Sequence, residues 1–144
     1  MTPPKMAAWN LALRFGLEIA AFTGLTMAAW TLTPGGVRWF AVIAAPVVAA
    51  TIWGMFNVLD DPSRSGQAPV EVSGPTRLVI ELAILGGGAA AYFVIQQPLT
   101  GAIVATLIVL QYGGSWHRID WLMSTSSPSH PYDHHLAQPD PPGA

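Results

Sequence analysis

The sequence predicts an all-α integral membrane protein, a four-helix bundle built from two parallel two-helix hairpin repeats. Three observations lead there. Hydrophobic residues make up 51% of the 144 and charged residues only 10%, against about 25% charged in ordinary soluble domains. A soluble chain of this size buries too little of its surface to hide so much hydrocarbon, and the mean hydropathy is +0.42. The apolar residues are gathered into four runs, each long enough to cross a core of about 30 Å, which takes roughly 20 helical residues. Finally, Arg-x-x-x-Glu occurs twice, as Arg14/Glu18 and Arg77/Glu81, each time near the head of a pair of runs.

Residues 1–8 form a short N-terminal segment ahead of the transmembrane domain, 9–123. The first span covers about 9–32 and stops at the breaker "TPGG". Arg14 and Glu18 interrupt what would be the uncharged core of a signal peptide, so this run is expected to be a retained helix. The second span, about 38–59, begins with the interfacial "RWF" and ends at "DDPSRSG". Pro46 in its middle removes one backbone hydrogen bond and predicts a kink. The third, about 75–97, carries Pro75 in its first turn, where a missing N–H does no harm. The fourth, about 98–123, closes with "GGSWHRIDWLM". Residues 124–144 are rich in proline and polar side chains and predict a disordered tail.

With four spans, the N-terminus, the 60–74 loop and the tail share one side. Lys5, Arg14, Arg64, Arg77 and Arg118 lie on or near it, while the other side has only Arg38. The positive-inside rule then predicts a multi-pass plasma-membrane protein with both termini cytoplasmic. Trp9, Trp39, Trp116 and Trp121 fall near the predicted boundaries, as aromatic belts do.

Composition also excludes function classes. A formal charge of -2 lacks the basic face of a nucleic-acid partner. The absence of cysteine removes disulfides, thiolate catalysis and iron–sulfur ligation. His117 at a helix end and three tail histidines do not make a haem site held by two intramembrane histidines. His130, Asp133, His134 and His135 in the tail read as a solvated segment, with no closed ligand set. Neither a cofactor nor a metal is therefore expected. Asp60 and Asp61 read as a turn signal. With no nucleophile–base constellation, no enzymatic activity is expected. Gln96, Gln97, Gln111 and Tyr112 either line a cavity or cross-link helices.

Aligning Arg14 with Arg77 also aligns Glu18 with Glu81, an offset of 63 residues. The first and third spans run in the same direction, so a pseudo-twofold axis along the membrane normal puts both pairs at similar depth near the cytoplasmic face. Such repeats are common in transporters, with sites at the repeat interface. A spacing of four sets both side chains on one helix face. An arginine at a span centre costs roughly 2.5 to 3.5 kcal/mol, less near the interface. Charges there survive by pairing, facing the bundle interior, or snorkelling. One reading is two intrahelical salt bridges that orient the helices. The sharper one is a four-charge cross-helix cluster forming a binding or ion site. In "SWHRIDWLM", His117, Arg118 and Asp120 between Trp116 and Trp121 read as an interfacial anchor, and Arg118 and Asp120 extend the cluster. Small residues recur four apart at Ala83, Gly87 and Ala91, at Gly86 and Ala90, at Ala41, Ala45 and Ala49, and at Ala50 and Gly54. They predict close helix approach, within the chain before between chains.

The segments "NLALRFGLEIAAF", "RWFAVIAAPVVAATIWGMF", "RLVIELAIL" and "HRIDWLM" together resemble the YrdB-like family of small bacterial four-helix membrane proteins, over about residues 9–123. The resemblance carries onto Arg14, Glu18, Pro46, Trp53, Gly54, Arg77, Glu81 and Arg118. It implies a fold and a membrane location but no activity, since the family is a domain of unknown function. The chain departs from its relatives at "WHR", where they have tyrosine–aspartate–arginine, and in a longer stretch between the second and third helices. The expected role is a non-enzymatic accessory or interaction subunit whose partners are membrane lipids, a second copy or a larger membrane complex. The rival is a small transporter, because four short helices with a first-helix glutamate resemble small multidrug resistance exporters. An arginine beside that glutamate argues against proton coupling, which needs a readily protonated carboxylate.

Overall fold

The computed structural model describes residues 7–59, 61 and 69–124. Of the expected tail at 124–144, all but Ser124 lies outside the described residues, as do Lys5, Asp60 and Arg64. Among the described residues five helices follow one another: α1 (Ala8–Leu32), α2 (Val37–Met55), α3 (Gly74–Val94), α4 (Pro98–Gly114) and α5 (Trp116–Ser124). Between α2 and α3, β1 (Phe56–Asn57) and β2 (Val70–Glu71) form a short parallel bridge with Phe56 opposite Val70.

Local chemistry sets the helix ends. α1 stops before Pro34, and Gly35 turns the chain at φ +68°, a conformation that favours glycine. Ser73 caps α3 by accepting a hydrogen bond from the Thr76 N–H, and Pro75 sits in the first turn. At the other end of α3, Gln96 takes a left-handed conformation (φ 62°) while the Gln97 N–H donates to the Tyr92 carbonyl at 2.8 Å. This closes the helix and frees Pro98 to start α4.

α1 and α3 form the centre. They cross where Ala21, Gly24 and Gly88 meet, and a Cβ on Gly24 would stand 2.5 Å from the Gly88 carbonyl oxygen. The Tyr92 hydroxyl ties the same crossing by donating to the Ala20 carbonyl at 2.9 Å. Around it lie Leu17, Trp53, Leu85, Ala89, Val104 and Ile108, so α1 to α4 all contribute to one apolar core.

Outside that core the usual distribution is inverted. Phe15, Phe40, Ile43, Val47, Val79, Leu99 and Val109 are exposed, while Arg14, Asp61, Arg77, Glu81 and Arg118 are buried. A water-soluble monomer rarely shows so continuous an apolar exterior; a hydrocarbon solvent requires it. α1, α2 and α3, with mean hydropathy of 1.3, 1.6 and 1.6, are long and apolar enough to cross a membrane, and α4 with α5 makes a fourth candidate. The chain is compatible with a multi-pass membrane protein.

The structure departs from the sequence reading in three places. The run at 98–123 is two helices bent by 70°, not one. The break follows Gly113 and Gly114, poor helix formers, and Ser115 leaves helical geometry. The second run stops at Met55, short of residue 59, because the Trp53 and Phe56 carbonyls bond to Arg77. Finally, Ala83, Gly86, Gly87 and Ala90 face outward, and the close α1–α3 contact uses Gly88, which belongs to neither four-residue series.

Candidate functional site

The N-terminal ends of α1 and α3 and the C-terminal ends of α2 and α4 come together, and the ionisable groups collect there. α3 supplies the centre. Arg77 and Glu81, one turn apart, are both 0% exposed, and the Arg77 Nε–H donates to Glu81 Oε1 at 3.1 Å. From α1, Arg14 donates to the same carboxylate through Nη2 at 2.5 Å and Nη1 at 3.4 Å. From α5, Arg118 donates through Nη2 to Oε1 at 2.8 Å and through Nη1 to Oε2 at 3.0 Å. The Tyr112 hydroxyl of α4 completes the set at 3.1 Å from Oε2. Each Glu81 oxygen thus accepts three donors.

Three arginines around one carboxylate need further negative charge, and the α2–α3 connection provides it. Asp61, itself buried, receives Arg118 through both Nε, at 3.0 Å, and Nη2, at 2.6 Å. This is the fork geometry in which guanidinium–carboxylate pairs are strongest. α2 and β1 contribute neutral acceptors: the Trp53 and Phe56 carbonyls accept from Arg77 Nη1 at 2.8 and 2.6 Å. The buried Trp53 ring also lies 5.4 Å from the Arg14 guanidinium and 5.1 Å from that of Arg77. Rings attract cations most where water is excluded.

The two Arg-x-x-x-Glu motifs therefore have unequal positions. Glu81 is enclosed, whereas the Glu18 side chain is 21% exposed and pairs with Arg14 at 3.5 Å from Nε. Asp120 is exposed and forms no ion pair among the described residues. Two residues apart on a helix, Arg118 and Asp120 point in roughly opposite directions, so Asp61 takes the position expected of Asp120. Asp61 is thus more than a turn residue.

A neutral network adjoins the cluster. The Gln111 amide donates to Asn10 Oδ1 at 2.9 Å, the Asn10 amide donates to Ser115 Oγ at 2.8 Å, and the Ser115 hydroxyl donates to the Gln111 carbonyl at 2.8 Å. Gln111 is accordingly a helix cross-link. Sequence reasoning missed Asn10, Trp53, Asp61 and Ser115 as members of this site. One signal was present: Asn10, Arg14 and Glu18 recur every four residues in α1, the spacing of one face. No group of three histidines, cysteines or carboxylates suited to a metal occurs among the described residues.

These features define a class: a small helical protein with an apolar exterior and an internal arginine–carboxylate cluster at one end of its helices. The chain belongs to the family described as "Protein of unknown function (DUF2568)", which matches residues 12–109 and so includes Arg14, Glu18, Asp61, Arg77 and Glu81. It is 41% identical over 121 residues to the uncharacterized protein YrdB of Bacillus subtilis (strain 168), covering 83% of this chain and 98% of that protein. No solved structure matches it.

Proposed function

We propose that this protein is a non-enzymatic accessory or interaction subunit of the bacterial plasma membrane. α1 to α4 span the bilayer as a four-helix bundle of two parallel hairpin repeats, with both termini cytoplasmic. Its partners are lipids and either further copies or a larger membrane complex. The observation that carries the reading is the state of Glu81: 0% exposed, with both oxygens saturated by donors from α1, α3, α4 and α5. A carboxylate that worked by exchanging a proton or a ligand would have to break that set at every turnover. One that locks helices together benefits from it. The cluster joins α1, α3, α5 and the α2–α3 connection, and so fixes the shape of the cytoplasmic end. Outward, Ala83, Gly86, Gly87 and Ala90 leave room for a helix of another subunit to come close.

The small-transporter reading keeps one observation in its favour. Glu18 lies within α1, partly exposed and 3.5 Å from Arg14 Nε, so it is the carboxylate free enough to bind and release. Two measurements on the same preparation separate the readings. Extraction from native membranes in mild detergent should give a complex of defined stoichiometry that survives Glu18→Gln and dissociates in Glu81→Gln. A partner-free monomer that moves organic cations across liposome membranes, with flux abolished by Glu18→Gln, would overturn the accessory role.

A further inference from the structure

α5 has an inner face and a divided outer surface. Arg118 and Leu122, four residues apart, are both buried. Arg118 reaches Asp61 and Glu81, and the Leu122 backbone lies against Gly74 so closely that a Cβ there would strike its carbonyl. On the outer surface Trp116, Ile119 and Met123 recur at i, i+3 and i+7, and His117, Asp120 and Ser124 recur at the same spacing. Helical geometry turns each trio into a lengthwise strip, one apolar and one polar, side by side. All six are exposed except Ile119, which is half-buried.

A helix surrounded by water gains nothing from the apolar strip, and a helix crossing hydrocarbon leaves the polar strip unsatisfied. Only a helix lying along the boundary gives each strip its own solvent. The direction agrees: the α5 axis turns 70° from that of α4, so an α4 near the membrane normal leaves α5 near the membrane plane. The apolar strip is led by Trp116, 68% exposed, and tryptophan partitions to the headgroup level.

We propose that α5 is an in-plane interfacial helix, clamped to the bundle by Arg118 and seated on the lipid headgroup region through Trp116, Ile119 and Met123. This rests on the membrane reading above. The chain contains no cysteine, so single nitroxide labels at Trp116→Cys, His117→Cys, Asp120→Cys and Met123→Cys report their own depth in vesicles of phosphatidylethanolamine and phosphatidylglycerol. Collision with oxygen and with a water-soluble nickel chelate should place labels 116 and 123 at one shallow depth, with 117 and 120 open to nickel. A depth difference of about 10 Å between 116 and 123, the rise of seven helical residues, would make α5 part of a span. Free nickel access at all four would put it in water. Either result overturns the proposal. Labels at Val47→Cys and Val109→Cys, both on outward-facing residues, test the membrane reading separately: nickel access there defeats that reading, whereas oxygen-rich, nickel-excluded labels uphold it whatever α5 does.

Discussion

Replacing Glu81 by glutamine changes almost no volume and isolates the charge at the centre of the cluster. Glu81 accepts six hydrogen bonds, three at each oxygen. Whichever way the substituted amide turned, its NH2 would face N–H donors: Arg14 Nη1 and Arg118 Nη1 in one orientation, where the Tyr112 hydroxyl can turn to accept, or Arg14 Nη2, Arg77 Nε and Arg118 Nη2 in the other. At about 0.6 kcal/mol for an average polar contact in lipid, those losses come to about 1–2 kcal/mol. The charge adds to them. Arg14, Arg77 and Arg118 are balanced by Glu18, Asp61 and Glu81, and the substitution leaves one buried cation uncompensated. Breaking a buried pair from one side costs about 3–5 kcal/mol, which is the destabilisation expected. Glu18→Gln makes the same chemical change where the side chain is partly exposed and its ion pair is long, at 3.5 Å, and should cost less than about 1 kcal/mol. Reversible unfolding in mixed micelles, followed by tryptophan fluorescence, measures both. Equal losses in the two variants, or a Glu81→Gln loss under about 1 kcal/mol, would refute the asymmetry and the latch built on it.

The adjacent glycines of α3 should respond oppositely. In Gly88→Val the new side chain meets the Ala21 backbone, and stability should fall by about 1–3 kcal/mol through overpacking. In Gly87→Ala it meets nothing within 4 Å and should gain about 0.5–1 kcal/mol of helix propensity; the same unfolding assay reads both, and matching signs would contradict the described crossing. Arg118→Met removes the contacts of α5 with Asp61 and Glu81. Amide exchange should then accelerate across α5 while the α1–α3 crossing at Ala21 and Gly88 stays protected, and unchanged exchange in α5 would show that Leu122 alone holds it.

Composition and apolar run length, by themselves, determined that this chain is helical and has an exterior suited to lipid. α1 begins and ends within a residue of the span read at 9–32, and α3 begins within a residue of 75, because Pro34, Gly35, Ser73 and Pro75 act through local backbone chemistry that a sequence states outright. The presence of an arginine–glutamate site was equally legible, since charge in a hydrocarbon run must be paired. Its membership was not. A spacing of four puts Arg14 with Glu18, and Arg77 with Glu81, on one face of their own helices, but it is silent on which neighbour that face meets. Only the tertiary structure decided that α3 lies inside, so that Glu81 gathers three arginines while Glu18, of identical local sequence pattern, keeps one. It also decided that Asp61, 57 residues from Arg118, replaces the nearby Asp120, and that the fourth run bends at Ser115. Each of those outcomes depends on contacts between segments far apart in the chain, where a fixed charge balance must be met by whichever carboxylate the packing brings within reach.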